Sequence, residues 1–474
     1  MYNAYITRIK NLHKHPNADR LQIGECFGNA VIVSMEYEDN QLGIYFPSDG
    51  QLSVKFAESN NLLRKKDENG NNIGGYMDPD KRNVTAIKLR GEKSDGLFLP
   101  LKSLESFGDI TILNEGDRID NFNGHEICCK YVPRQNVRRG HPSSGNKTCK
   151  KKVPVAPLFA EHADTEQLAY NLGAFKPGDE IEITLKMHGT SQRTGYLPVF
   201  KGYKRTLIDK IFRREGKPVY DWGYVSGTRR TVLENFEGGY YGSNEFREAH
   251  SKFFEGKLNK GEEIFYEVVG FTTNGTPIMG DANNKKLNDK EFVKQYGETT
   301  RFSYGCSPTF ELNIEAQEDE NGYLPELPQS DIYVYRMTMT NEDGFTVEYT
   351  PDFMCYRCEQ MGVKTVPVMW RGTIPYTVDD IECSTPGARI MMRDGENAGD
   401  WIKSVAEQYY DGPDPIGKTH IREGVVVRII NRPKFCAYKH KNWFFKAIEG
   451  VVKVEAETPD IEEADGLEEQ SNVN

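Results

Sequence analysis

Short apolar runs, rich in β-branched and aromatic residues, fill the first quarter of the chain. They read AYITRIKNL, AVIVSMEYE, QLGIYFP, VTAIKLRG and LFLPL, and Gly, Asn and Asp clusters such as DENGNNIGGYMDPD divide them. Strands at this spacing predict a small barrel or sandwich over 1–125. From 156 to 452 strand and helix patterns mix. EIEITLK alternates Ile181, Ile183 and Leu185, while IFYEVVG, IYVYRMTMT, FTVEY and EGVVVRII predict further strands. TEQLAYNLG and DWIKSVAEQYYDG predict helices. In the second, Ile402, Val405, Ala406 and Tyr409 form one stripe, with Asp400 the expected N-cap and Gly412 the expected stop. This is an α+β order, not a regular βαβ alternation. No internal repeat is visible.

Composition changes this picture at two places. The net charge of −11 argues against a nucleic-acid partner. Yet 454–474 holds eight acids and no Lys or Arg, and removing those eight charges from −11 leaves −3. Between Lys130 and Lys152 stand eight basic residues and no acid. The segments expected are therefore a β module at 1–125, a basic linker at 126–155, a second domain at 156–452 and an acidic, disordered tail at 453–474. No apolar run reaches the ~18 residues of a membrane span, and the N-terminus lacks a signal-peptide pattern. Nine cysteines, an odd number without framework spacing, suggest free thiols and a cytoplasmic setting.

Two phosphate motifs compete. Gly412-Pro-Asp-Pro-Ile-Gly417-Lys418-Thr419 matches the P-loop pattern letter for letter. Its context is wrong, because a P-loop follows a strand and opens a helix. Here a predicted helix precedes and the strand EGVVVRII follows. Pro413 and Pro415 also delete two N–H groups that would cradle phosphate. A helix stop and turn is the better reading. The second motif is Leu185-Lys186-Met187-His188-Gly189-Thr190-Ser191. Lys-x-x-Gly is weak alone, but this Lys ends an alternating strand and a Gly-containing turn follows. A lysine so placed beside other cations can serve as a nucleophile.

Further pieces follow in order: Ser226-Gly-Thr-Arg229-Arg230-Thr231, Phe265-Tyr266-Glu267-Val268-Val269-Gly270, Ile332-Tyr333-Val334-Tyr335-Arg336-Met337, Glu423-Gly424-Val425-Val426-Val427-Arg428 and Tyr438-Lys439-His440-Lys441. Singly, Glu267 and Glu423 also read as solvated strand-end acids, and Tyr333 and Tyr335 as core aromatics. Together they resemble the motif series of covalent nucleotidyltransferases: ATP-dependent RNA and DNA ligases and mRNA capping enzymes. Two details favour RNA ligase. The first motif is Lys-Met-His-Gly, where DNA ligases and capping enzymes usually carry Asp before the Gly. Lys439-His440-Lys441-Asn442 looks like the Lys-x-Lys-Asn of nick-sealing RNA ligases.

The resemblance implies that Lys186 attacks the α-phosphorus of ATP, forming lysyl-AMP and expelling pyrophosphate. Lys439 and Lys441, at i and i+2 of one strand, would share a face and reach the α-phosphate. Glu423 would hold Mg²⁺ or Mn²⁺. Glu267 would hold the ribose and orient metal-bound water. Arg230, with Arg229 as the alternative, would contact ribose or phosphate, and Tyr335 would stack on adenine. Leu185, His188 and Gly189 would complete the nucleotide site, His188 by packing or hydrogen bonding.

His15-Pro16-Asn17-Ala18-Asp19-Arg20-Leu21-Gln22-Ile23 and Leu89-Arg90-Gly91-Glu92-Lys93-Ser94-Asp95-Gly96-Leu97 look like the two signatures of the tRNA-binding OB domain. Asn17, Asp19 and Gly91 are equally turn formers, and Arg90 equally a loop staple. An OB module before the ligase domain resembles the nick-sealing RNA ligases with an N-terminal OB module, so the likeness spans nearly the whole chain. It implies an OB-type barrel followed by a nucleotidyltransferase (ATP-grasp-like) domain of antiparallel sheets with flanking helices. The partner implied is a nicked, RNA-containing duplex, held by Arg90 and by Arg138, Arg139, Lys150 and Lys151. A monomer is expected, and no protein partner is evident. Two rivals stay open: a GTP-dependent capping-type guanylyltransferase, and a non-enzymatic tRNA-binding OB protein with an inactive nucleotidyltransferase fold. One stretch, Phe271 to Pro328 with RFSYGC at Arg301 to Cys306, is long and has no assigned role. Cys355 and Cys358 form one C-x-x-C, whereas a structural zinc site wants a second pair. Cys149, Cys306 and Cys383 offer no supporting spacing.

Overall fold

The computed structural model describes residues 2–66, 72–131, 153–206, 209, 216–233, 236, 241, 243–287, 289–314, 316–317, 322–376 and 396–448. Arg138, Arg139, Lys150 and Lys151 of the expected linker, and the acidic tail, lie outside them. The described residues divide into two compact units. One falls within Met1–Gln135, Asn283–Val293 and Trp443–Pro459, the other within Asn136–Ala282 and Lys294–Asn442.

The five apolar runs of the first unit form strands. Leu97–Pro100, Leu42–Phe46, Ala4–Arg8 and Arg118–Ile119 build an antiparallel sheet in that order. Lys10–Lys14, Leu21–Cys26 and Asn29–Ser34 build a second. Ile6, Ile44, Phe46, Phe56 and Leu104 are fully buried in its core. The strands fall into several small sheets, and no pairing path among the described residues closes them into a barrel. Ala86–Leu89 and Glu92–Asp95 form a hairpin. Its two turn residues, Arg90 (φ 50°) and Gly91 (φ 97°), both take the left-handed backbone that matches strand twist in a two-residue turn. Asn17 Nδ2 donates to Arg90 O at 2.9 Å, and His15 Nε2 to Leu89 O at 3.2 Å. The two signature loops therefore touch.

Two distant segments also pack in this unit. Phe292 stacks on Phe444 with ring centroids 4.9 Å apart. The Lys93 ammonium lies 4.1 Å from the Phe444 ring centroid and 4.9 Å from that of Trp443. Lys88 pairs with Asp289 at 2.8 Å, and Lys446 with Asp95 at 2.5 Å.

The second unit has two mainly antiparallel sheets. The smaller runs in the order Glu166–Gln167, Ala437–Lys441, Gly424–Ile429, Glu180–Leu185, Val368–Thr373. Ile181, Ile183, Val425 and Val427 line one face under Trp401, Ile402, Val405 and Ala406 of the helix Ala398–Glu407. The larger sheet runs Val232–Leu233, Lys217–Gly227, Thr190–Lys204, Glu262–Gly270, Ser330–Thr340, Thr346–Glu348, with Lys364–Thr365 added in parallel beside Ser330–Thr340. Ile264, Tyr266, Val268, Val334 and Met337 pack on Phe246, Met354, Cys358 and Met361 from the helices Glu245–Phe253 and Pro351–Met361. Cys358 of the lone C-x-x-C is thus core. Helices cover one face of each sheet, and the opposite face of the larger one carries Glu263 and Glu267 beside Phe265 and Val269.

Three local expectations change. Asn397 caps the 398–407 helix, its side chain accepting from Asp400 N, so Asp400 lies in the first turn. The helix ends at Gln408 rather than at Gly412. TEQLAYNLG is a two-residue strand followed by 3₁₀ turns at Leu168–Tyr170 and Leu172–Ala174. Asn171, whose Nδ2 donates to Gln167 O, interrupts it.

Candidate active site

Alternation along Glu180–Leu185 puts Leu185 in the core with Ile181 and Ile183, so Lys186 emerges on the opposite face as the strand ends. Its backbone stays tied to the sheet, Lys186 N donating to Gly424 O at 3.0 Å. Across the sheet, Lys439 stands opposite Val426 and Lys441 opposite Gly424, so both lysines share the Lys186 face.

Lys186 and Lys441 meet one buried acid. Lys186 Nζ lies 2.7 Å and Lys441 Nζ 3.1 Å from the same oxygen, Glu423 Oε1. Glu423 is 2% exposed and Lys186 18%. Burial pushes the Glu423 carboxyl up, but Lys186 and Lys441 outweigh it and hold the group well below the usual carboxylate range. His188 Nδ1 approaches the other oxygen, Oε2, at 3.6 Å.

Gly189 is dictated by close approach. A Cβ there would lie 2.3 Å from Val268 O and 2.9 Å from Glu267 Cγ. The turn is thus pressed onto the strand that carries Glu267. Glu267 pairs in register with Ser191 on one side and Tyr333 on the other, so the three share the face turned away from the helices. Arg247, fully buried, clamps this start of the strand, donating to Ser191 O at 3.1 Å and Thr190 Oγ1 at 2.7 Å.

Tyr335 owes its position to a bulge. Phe265 pairs with Arg336 and Tyr266 with Val334, leaving Tyr335 as the extra residue. Bulges re-aim side chains beside sites, and here the Tyr335 hydroxyl meets Ser191 Oγ at 2.8 Å. The His162 ring lies edge-on to Tyr335 at 5.5 Å. Burial, reinforced by Arg229 and Arg336, lowers the His162 pKa to about 3. His162 N also donates to Arg229 O at 3.1 Å. Arg229 and Arg230 both pair with Asp164, at 3.1 and 3.0 Å, and Arg230 is the more exposed.

The unassigned stretch supplies a wall. Tyr304 hydroxyl accepts from His188 N at 2.8 Å, and the Phe302 and His188 rings are 4.6 Å apart. Arg301 braces this segment on Asp281 at 2.7 Å. Behind it stands fully buried His420, 4.7 Å from the Tyr304 ring and 5.2 Å from Phe302. His420 closes the P-loop lookalike, whose Ile416 and Gly417 N–H groups both donate to Asp414 Oδ1. Amides spent on their own loop cannot cradle a phosphate, so this loop is a turn and not a P-loop. Sequence reasoning missed Tyr304, His420, His162 and Arg247, none of which repeats or alternates. RFSYGC was the only hint.

A divalent ion fits this chemistry. Glu423 Oε2 is buried with no hydrogen-bond partner within 3.5 Å among the described residues. No cluster of three or more His, Cys, Asp and Glu is found among them that could hold a metal. A hard divalent ion of the Mg²⁺ type uses one or two carboxylates plus substrate phosphates, and the buried Glu423 oxygen is one such donor.

No family profile and no curated protein matches the chain. Solved structures do. A lysine-to-alanine variant of Naegleria gruberi RNA ligase with ATP and Mn is 14% identical, covering 94% of this chain and 98% of that one, with a TM-score of 0.51. The same ligase with pyrophosphate is 15% identical, covering 96% and 99%, also at 0.51. An unliganded variant is 16% identical, covering 94% and 97%, again at 0.51. The fold is similar to that of Naegleria gruberi RNA ligase. At these identities the likeness is one of fold. It supports the α+β architecture and leaves the nucleotidyltransferase and OB-barrel readings as proposals.

Proposed function

We propose that the protein is an ATP-dependent RNA ligase that forms lysyl-AMP on Lys186, passes AMP to a 5′-phosphate and joins that end to an RNA 3′-OH at a nick, releasing AMP. One observation carries this reading: Lys186 and Lys441 converge on a single oxygen of buried Glu423 at the mouth of the Gly189 turn. In the first step the Lys186 ammonium gives up a proton, its Nζ bonds to the α-phosphorus, and the bond to the bridging oxygen of pyrophosphate breaks. The proton leaves to solvent, which reaches the 18% exposed Lys186 side chain, while Glu423, 2.7 Å away, holds the amine in position. Lys441 and Lys439 keep positive charge beside the phosphate, where phosphoryl transfer gains most of its rate. Tyr335 offers a ring for the base, and Arg230 and Arg229 a cationic edge. Glu423 and Glu267 would hold a divalent ion, which supplies charge neutralisation on the phosphates when bound.

In the same reading the first unit is an OB-type RNA-holding module. Arg90 is exposed on the hairpin joined to His15 and Asn17. Arg138, Arg139, Lys150 and Lys151 add phosphate contacts. The enzyme acts as a monomer in a reducing, cytoplasmic compartment, in keeping with seven free thiols among the described cysteines.

Incubation with ATP or GTP labelled at the α-phosphate tests the proposal. ATP should label the wild-type protein and GTP should not, and Lys186→Ala should lose both labelling and sealing of nicked RNA duplexes. Labelling by GTP would favour the guanylyltransferase. Labelling by neither nucleotide would favour the inactive fold.

A further inference from the structure

The strand Thr190–Lys204 outruns its sheet. Its pairing with Glu262–Gly270 stops at Gly195, whereas its pairing with Lys217–Gly227 continues to Lys204. Beyond Leu197 the two strands form a ribbon, steadied by Phe200 N donating to Val155 O at 2.7 Å. Lys201, Lys204, Arg205 and Lys217 are all exposed at its end. None of the four is ion-paired among the described residues. Six arginines of this unit, Arg193, Arg229, Arg230, Arg336, Arg357 and Arg371, each have a carboxylate partner, whereas Lys176, Lys260 and Lys434 have none among the described residues. The acids described on the ribbon are Asp209, which accepts from Thr206, and Asp221.

Two features make this more than a solvated end. Lys204 and Lys217 are directly opposed in register, and like charges facing across a ladder destabilise it. An anion lying between them would reverse that sign. Lys201 is the extra residue of a bulge, where the register slips between Phe200 and Gly202, and a bulge turns its side chain out of the regular alternation. Beside them Phe200 packs on Tyr203 at 5.2 Å and on Tyr220 at 5.9 Å. These rings stiffen the ribbon so that its cations keep a fixed spacing.

We propose that this ribbon is a backbone clamp for duplex RNA, Lys201, Lys204, Arg205 and Lys217 contacting successive phosphates outside the nucleotide site. Duplex RNA is read mainly through shape and phosphate contacts, which a rigid row of unpaired cations can supply. The inference rests on the RNA-ligase reading for its partner, but its test does not need catalysis.

The test is binding of the full chain to a fluorescent nicked RNA duplex across a salt series, by anisotropy. In a variant with all four residues changed to Ala, the slope of log K against log salt should shrink by about two to four, at roughly 0.7–0.9 per lost phosphate contact. Affinity at 50 mM salt should fall by at least about 100-fold. A second variant with Lys201→Arg, Lys204→Arg and Lys217→Arg should bind like wild type, which separates lost charge from lost folding. Labelling by ATP should persist in both variants. An unchanged slope in the alanine variant would overturn the clamp, as would an equal loss of binding in the arginine variant. A preference for anionic lipid vesicles over duplex RNA would overturn it too, assigning the ribbon to a membrane surface. Failure of the wild type to take label from ATP would instead strike the ligase reading and leave the binding result standing.

Discussion

Tyr304 shows what a single side chain does for this site. Its backbone is left-handed (φ 50°), a conformation bulky residues rarely adopt, and it is fully enclosed, so burial raises its phenol well above the ordinary value. The hydroxyl therefore stays protonated while accepting the His188 N–H. Tyr304→Phe keeps the ring against His420 and removes that acceptor. Stability should drop by about 0.5–1.5 kcal/mol, seen as a lower denaturant midpoint, and single-turnover labelling should slow by roughly tenfold, since a misplaced nucleophile loses rate steeply. Labelling at the wild-type rate would reduce the wall to packing. Lys186, Glu423 and Lys441 were legible beforehand because each lies in or beside a strand whose alternation shows. Tyr304 and His420 were not, because their roles depend on contacts more than a hundred residues away.

At the scale of elements, the alternating runs around Ile181, Ile264, Ile332 and Val425 declared themselves as strands. Thr190–Lys204 and Lys217–Gly227 did not, being interrupted by glycines and polar residues whose partners are cross-strand. The 159–164 segment had no pattern at all. It is held from outside. Ala160 N donates to Glu263 Oε2 at 3.1 Å, and the Arg193 guanidinium lies 3.9 Å from the Phe159 ring centroid. That placement keeps His162 neutral down to about 3, against roughly 6.5 in an unfolded chain. Between those values the unfolded chain binds the extra proton, so stability should be lost as pH falls below about 6.5. Urea unfolding at pH 7 and pH 5 should show this loss, at most about 1.4 kcal/mol per pH unit, and His162→Phe should flatten it while keeping a ring against Tyr335.

For the whole molecule, the first unit is not the product of its first 125 residues. Lys93 lies over Trp443 and Phe444, and Phe292 stacks on Phe444, aromatics that no local pattern ties to an N-terminal module. A chain beginning at residue 153 would bare those rings. It should elute as aggregate in size-exclusion chromatography, and replacing Phe292, Trp443 and Phe444 with Ser should recover monomer. Soluble monomer without those changes would show the rings to be dispensable. The same interleaving has a consequence in time. A ribosome delivers the last aromatic pieces of this unit about 310 residues after the bulk of it, roughly 15–60 s later at 5–20 residues per second. Through that interval the nascent N-terminal sheets wait with an unfilled seat, and the second unit can fold before the first is complete.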